Sequence, residues 1–108
     1  MKILFDNGTP KPIARGLTGH EITYARRIGW HEFENGELIR QAEEAGYEVL
    51  VTTDKNIRYQ QNLSGRKIAL VILGHSQWPA VRLHLDRIAA AVNACTPGSY
   101  AEVEIPFK

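Results

Sequence analysis

The stretches KILFDN (residues 2–7) and VLVTTDKN (residues 49–56) decide the fold, because each is a short aliphatic run that leads into an aspartate. Runs this short and this apolar are typical of strands that are buried on both faces of a parallel sheet. In open α/β sheets, ligands collect in the crevice outside the carboxyl ends of such strands. Asp6 and Asp54 would both lie there. The two stretches therefore predict an α/β fold with a site at one edge of the sheet.

Helix and strand signals alternate along the rest of the chain. Further strands are predicted at residues 21–24, 47–52, 68–73 and 100–105, the last of them at an edge of the sheet. Helices are predicted after an N-cap at Thr9, from an N-cap at Asn35 to Gly46, at residues 56–63, and from Pro79 to a break at residues 96–98. This order implies a single domain over residues 1–108, a three-layer α/β/α sandwich around a mostly parallel five-stranded sheet.

The composition limits the classes of function. A chain of 108 residues with 44% hydrophobic content can bury a core without disulfide or metal support. The net charge of +1 gives no overall electrostatic case for nucleic-acid binding, so a basic surface must be local. Lys11, Arg15, Arg26 and Arg27 would form such a rim if their segments flank the crevice. The absence of a signal-peptide pattern and of a long apolar run leads us to expect a soluble cytoplasmic protein that spans no membrane.

Three carboxylates are candidates for catalysis. Two strand-end carboxylates, Asp6 and Asp54, meet the minimum for Mg²⁺ or Mn²⁺, which such sites hold by one or two carboxylates together with substrate phosphate. A cation held there would activate water for attack on a phosphodiester. Glu37 would complete the cluster or act as the base. The alternatives are that each aspartate caps the helix that follows it, and that Glu37 only interacts with the helix dipole.

Amides and basic residues near the same strand ends are candidates for substrate binding. Asn35 is either an N-cap or a ligand, and Asn7 directly follows the first aspartate. An amide-rich segment that holds a guanidinium and an aromatic ring suits a single polynucleotide strand, which is bound through its phosphates and by stacking. The alternative is a solvated helix. The candidates in this segment are Lys55, Asn56, Arg58, Tyr59 and Gln60.

The chain resembles the PIN-like (PilT N-terminal) domain superfamily, in particular a small bacterial branch related to toxin ribonucleases. The resemblance rests on residues 2–7, 19–21, 35–38 and 49–56. It implies that the protein hydrolyses RNA with Mg²⁺ or Mn²⁺ held by three or four acidic residues, and that an antitoxin protein holds it inactive. Carried over by position, it makes Asp6 and Asp54 metal ligands.

The sequence departs from the family pattern at three positions, since asparagine stands at 7, 35 and 56 where the resemblance leads one to expect acids. Asparagine keeps the shape of aspartate but lacks the charge that attracts a cation. Two hypotheses follow: a metal-dependent ribonuclease, and a non-catalytic module that binds nucleic acid or a protein partner. A phosphoacceptor receiver domain is disfavoured, because it needs adjacent acids after the first strand. The edge strand near Val103 permits a homodimer.

Overall fold

The computed structural model describes residues 1–57 and 65–106. The strands within these residues are β1 (Lys2–Phe5), β2 (Glu21–Tyr24), β3 (Val49–Thr52), β4 (Ala69–Leu73) and β5 (Tyr100–Val103). The α-helices are α1 (Asn35–Glu44), α2 (Trp78–Val81) and α3 (Leu85–Asn93). Short 3₁₀ segments lie at Lys11–Gly16, Ala25–Ile28 and Arg82–His84. Most of the helix predicted at residues 56–63 lies outside the described residues.

The five strands form one sheet in the order β2-β1-β3-β4-β5, and every neighbouring pair is parallel. The α/β fold and the edge position of β5 are confirmed, and the sheet is parallel throughout rather than mostly so. In this strand order the chain reverses its direction of progress across the sheet between β1 and β3. Such a switch point opens a crevice at the carboxyl ends of the two strands, which is where ligands bind in folds of this order.

The core has two parts, one on each face of the sheet. The odd-numbered residues of β1 and β3 pack with Ile13 of the first 3₁₀ segment and with Ile88 and Val92 of α3. The even-numbered Leu4 and Leu50 pack on the other face, against α1 and Ile57. Since successive side chains of a strand point to opposite faces, the uniformly apolar sequence of these strands fills both layers. Each fully buried aliphatic side chain contributes about 1.5–3 kcal/mol.

Helix α1 has the inward face that its sequence predicts, because Leu38, Ile39 and Ala42 are all buried. The predicted N-cap is wrong, however. Glu34 occupies the cap position, no side chain caps the first turn, and Asn35 is already helical. The Asn35 amide instead donates to the Asp54 carboxylate.

Two other local predictions are wrong. Thr9 does not cap the following 3₁₀ segment, because its buried hydroxyl donates to the Val51 carbonyl oxygen at 2.9 Å. The helix predicted from Pro79 onward is interrupted by the 3₁₀ segment Arg82–His84. There His84 leaves the helical region, with φ of −129° and ψ of 28°, and its Nε2 forms a hydrogen bond with the Pro106 carbonyl oxygen at 3.2 Å. In the described ranges, no helix combines the length and the apolar content that crossing a bilayer requires.

The turn before β5 depends on Gly98, which has a φ of +77°. A Cβ at this position would lie 2.6 Å from the Arg66 carbonyl oxygen, and the Gly98 N–H donates to Lys67 O at 2.8 Å. We expect Gly98→Ala to lower the free energy of unfolding by about 3 kcal/mol, the cost of a left-handed alanine together with a backbone clash.

The matched control for this substitution is Gly46→Ala, because Gly46 has a φ of +87° but no atom within 4 Å of the added Cβ. The control should cost only the left-handed term, about 1–2 kcal/mol. Urea denaturation of both variants measures the difference. Equal destabilisation of the two variants would show that the contact between the added Cβ at position 98 and the Arg66 carbonyl oxygen costs no free energy.

Candidate functional site

Asp6 and Asp54 lie on the two sides of the switch point. Asp6 directly follows β1, and its N–H donates to the Val51 carbonyl oxygen of β3 at 2.9 Å. Asp54 follows β3 by two residues. The chain leaves β1 toward the face that holds Ile13 and leaves β3 toward the face that holds Ile57. The two aspartates therefore border the crevice that this divergence creates, as the sequence predicts.

Thr52, the last residue of β3, joins the two aspartates. Its side chain is fully buried, and its hydroxyl donates to Asp6 Oδ2 at 2.8 Å. The Thr52 hydroxyl oxygen also accepts the Asp54 N–H at 3.2 Å. A single hydroxyl thus fixes one carboxylate and the backbone of the other aspartate. Sequence reasoning did not identify Thr52, although a threonine that ends an otherwise aliphatic buried strand is a signal for such a role.

Each aspartate also accepts hydrogen bonds from its surroundings. Asp6 Oδ1 accepts the Asn7 N–H at 2.7 Å, so Asp6 does not cap the following segment. Asp54 Oδ1 accepts the Asn56 N–H at 3.0 Å, which is the geometry of an Asx turn, and Oδ2 accepts the Asn35 amide at 2.6 Å. These hydrogen bonds fix the orientation of both carboxylates.

The three asparagines have different surroundings. The Asn35 amide contacts Asp54 directly, whereas the Asn7 side chain donates to the His31 carbonyl oxygen at 2.9 Å and so ties down the loop after the second 3₁₀ segment. Asn56 is exposed and reaches Asp54 through its backbone. Asn35 is thus the position that brings a side-chain amide onto a strand-end carboxylate.

Glu37 forms its contacts within α1. Arg40 donates to Glu37 Oε1 at 2.6 Å and also to Oε2, and Gln41 donates at 3.3 Å. The hydrogen bond from Arg40 is the main reason why the pKa of Glu37 lies below its ordinary value. Glu37 is therefore ionised at neutral pH and paired with Arg40, in contacts that do not include Asp6 or Asp54. An acid and an arginine three residues apart on a helix are a sequence signal for this pairing.

The chemistry of the donor set decides which cation these residues fit. Across residues 1–57 and 65–106, no group of three or more histidine, cysteine or acidic side chains is arranged to hold a metal ion. A carboxylate oxygen that accepts one hydrogen bond keeps a further lone pair. Asp6 and Asp54 therefore fit a hard cation that is completed by water or phosphate oxygens, and they do not form a complete protein cage.

The surroundings of the carboxylates differ on the two sides. Toward β2, a shallow depression contains Asp6 and Asn7 together with Lys11, Tyr24 and Arg26. Arg15 and Arg27, the other residues of the predicted basic rim, do not line it.

Toward β5, a cleft of about 390 Å³ is lined by Lys55, Glu102 and Glu104 with apolar strand residues. A further cleft of about 330 Å³ lies at the amino-terminal edge of the sheet and contains no predicted site residue. Arg58, Tyr59 and Gln60 lie outside the described residues.

A family model described as a PIN like domain matches residues 1–72. The matched region includes Asp6, Asn35, Thr52 and Asp54, and it ends within β4. No curated protein and no solved structure matches the chain.

Proposed function

Because the chain belongs to the PIN-like domain family, we propose that it is a metal-dependent ribonuclease that hydrolyses phosphodiester bonds in RNA. The observation that carries the proposal is the hydrogen-bonded chain Asp6–Thr52–Asp54 at the switch point of the sheet. It supports the proposal because two carboxylates from separate strands are held together where this class of fold binds its ligands.

In this proposal Asp6 and Asp54 hold Mg²⁺ or Mn²⁺, and oxygens of the substrate phosphate complete the coordination. The bound cation would supply charge stabilisation and a more acidic water. Thr52 keeps both aspartates in place, and Glu37 is the proposed base. The hydrogen bonds from Arg40 lower the pKa of Glu37, so Glu37 is a weaker base while this ion pair is closed.

The remaining parts of the proposal concern the substrate and partners. Asn7, Asn35, Lys55 and Asn56 would contact RNA around the crevice, and Arg58, Tyr59 and Gln60 would extend that surface. The proposal that the protein is a toxin includes an antitoxin protein as its partner and a cytoplasmic location. We also propose a homodimer through the β5 edge. The position of β5 at the end of the strand order supports the part about partners, since an edge strand is where a sheet can accept another chain.

The first test is a calorimetric titration of Mn²⁺ into the wild-type protein and into the Asp6→Asn/Asp54→Asn double variant. It is done with and without a 2′-O-methyl RNA oligonucleotide, which supplies phosphates but resists cleavage. We expect saturable binding to the wild type that the double variant loses. Asp86→Asn is the control, because Asp86 is an exposed acid in the first turn of α3. A wild type that binds no Mn²⁺ in either condition would overturn the proposal.

A second candidate function is a non-catalytic module that binds nucleic acid or a protein. The observation that favours it is the Asn35 amide on Asp54, which offers hydrogen donors where a third carboxylate would strengthen a metal site. Asn35→Asp separates the two in the same titration. In a nuclease it should raise the Mn²⁺ affinity, whereas in a site built on amides it should only lower the melting temperature, because two carboxylates then repel each other.

A further inference from the structure

We propose that the depression between the ends of β1 and β2 binds a backbone phosphate of a single-stranded polynucleotide through Lys11 and Arg26. This places the substrate strand on the β2 side of the carboxylates, and it rests on the proposed function for the identity of the ligand. Lys11, Arg26, Tyr24, Asp6 and Asn7 line the same depression. The phosphate site would therefore be next to the reacting phosphodiester.

The topology brings the two cations together. β1 and β2 are parallel neighbours, with Phe5 opposite Tyr24 in register. Each strand is followed by a 3₁₀ segment, the first beginning at Lys11 and the second at Ala25. Parallel strands end at the same edge of the sheet, so these segments emerge side by side. Lys11 and Arg26 occupy the start of their segments and thus face the same depression.

Tyr24 holds this arrangement in place. Its ring packs edge-on against the buried Phe5 ring, with 5.6 Å between the centroids. The Lys11 ammonium lies over the Tyr24 ring, 5.6 Å from its centroid, and the Tyr24 hydroxyl donates to Lys11 O at 3.4 Å. A lysine restrained by a cation–π contact loses less side-chain freedom when it binds a ligand. The depression is therefore partly organised before the substrate arrives.

The charges in the depression favour an anion. Among the described residues, no carboxylate lies within salt-bridge distance of Lys11 or Arg26. Both side chains belong to exposed residues. Asp6 also lines the depression, so two cations there face one carboxylate. The positive balance attracts a polyanion to the depression.

The test is fluorescence anisotropy with a labelled 2′-O-methyl oligouridine of about 12 nucleotides, a length within the footprint of single-strand-binding modules. The buffer contains EDTA and no divalent cation. Lys11→Ala/Arg26→Ala should raise Kd about tenfold or more. It should also reduce the slope of log Kd against log salt concentration by about 0.7, because the two side chains neutralise one phosphate and each neutralised phosphate on a single strand contributes about 0.7.

The control is Arg15→Ala/Arg27→Ala, which removes the same charge from the same two 3₁₀ segments outside the depression. It should change Kd less than about twofold, and Lys11→Arg/Arg26→Lys should retain binding, because the charges remain. If both alanine pairs weakened oligonucleotide binding equally, the effect would come from the overall positive charge and not from a site. That result would overturn the inference. An unchanged Kd, or no saturable binding by the wild type, would also overturn it.

The assay separates this inference from the proposed function. It contains no metal, and its probe is not cleaved, so it does not depend on catalysis. If the oligonucleotide binds as expected but Mn²⁺ neither binds nor supports cleavage, the ribonuclease proposal fails and the phosphate site stands. If Mn²⁺-dependent cleavage occurs while the Lys11 and Arg26 variants bind normally, only the phosphate site fails.

Discussion

Asp6→Asn and Asp54→Asn are each expected to abolish Mn²⁺-dependent cleavage of single-stranded RNA. In Asp6→Asn the amide oxygen can accept the Asn7 N–H and the amide NH₂ can donate to the Thr52 hydroxyl oxygen, so the shape of the site should be preserved. Each change removes one charge from a site with two carboxylates. A charge pair at 4 Å contributes about 4 kcal/mol near a protein surface, which corresponds to a loss of about a thousandfold if all of it acts on the transition state.

Cleavage of an end-labelled RNA, followed on gels with and without Mn²⁺, measures this effect. Thermal unfolding of the same preparations should give melting temperatures close to that of the wild type, because both aspartates are partly exposed and their neighbours keep a hydrogen-bonding partner. Asp86→Asn should cleave like the wild type. Full activity in both strand-end variants would remove Asp6 and Asp54 from the mechanism.

Thr52→Val is expected to lower kcat by about 10- to 100-fold, although Thr52 would not touch the substrate. Valine fills the same space but has no hydroxyl, so Asp6 loses a donor and the Asp54 N–H loses its acceptor. The two aspartates would then no longer be held in a common geometry, and a misplacement of about 1 Å can cost a hundredfold in rate. The free energy of unfolding should fall by about 1–3 kcal/mol, because the half-buried Asp54 N–H is left without its acceptor.

Thr9→Val is the matched control for Thr52→Val. Thr9 is also buried, and its hydroxyl also donates one hydrogen bond, but to the Val51 carbonyl oxygen. Both variants should lose stability, whereas only Thr52→Val should lose Mn²⁺ affinity and kcat at unchanged KM. Thr52→Ser, which retains the hydroxyl, should recover most of the activity. If Thr9→Val reduced kcat as much, Thr52 would have only a structural role.

The fold could be predicted because its strands are dominated by one effect, the burial of aliphatic side chains on both faces. The strands around Leu4 and Leu50 and the inward face of α1 follow from that pattern alone. The predictions that were wrong concern side chains whose hydrogen-bonding partners lie far away in the sequence. Asn35 looks like a cap by its local sequence, but its amide finds a better acceptor in Asp54, 19 residues later.

The position of the candidate site could be predicted as far as topology determines it. Asp6 and Asp54 follow neighbouring parallel strands, which the sequence order implies, whereas their roles stay a prediction. The role of Thr52 could not be predicted in the same way, because its hydroxyl bonds to a carboxylate 46 positions earlier. The Glu37–Arg40 pair, in contrast, follows from a spacing of three on a helix. This spacing predicts the ion pair from the sequence alone, whereas the catalytic role of Glu37 stays a prediction.

The bond between Thr52 and Asp6 also bears on how the chain folds. It closes a loop of 46 residues, which includes β2 and α1, so it can form only when β1 and β3 have paired. Contacts between such distant parts of a chain are entropically costly and form slowly. A short fragment of the chain cannot contain both Asp6 and Asp54 on paired strands. The appearance of Mn²⁺ binding during refolding would therefore time the pairing of the two central strands, with no label added to the protein.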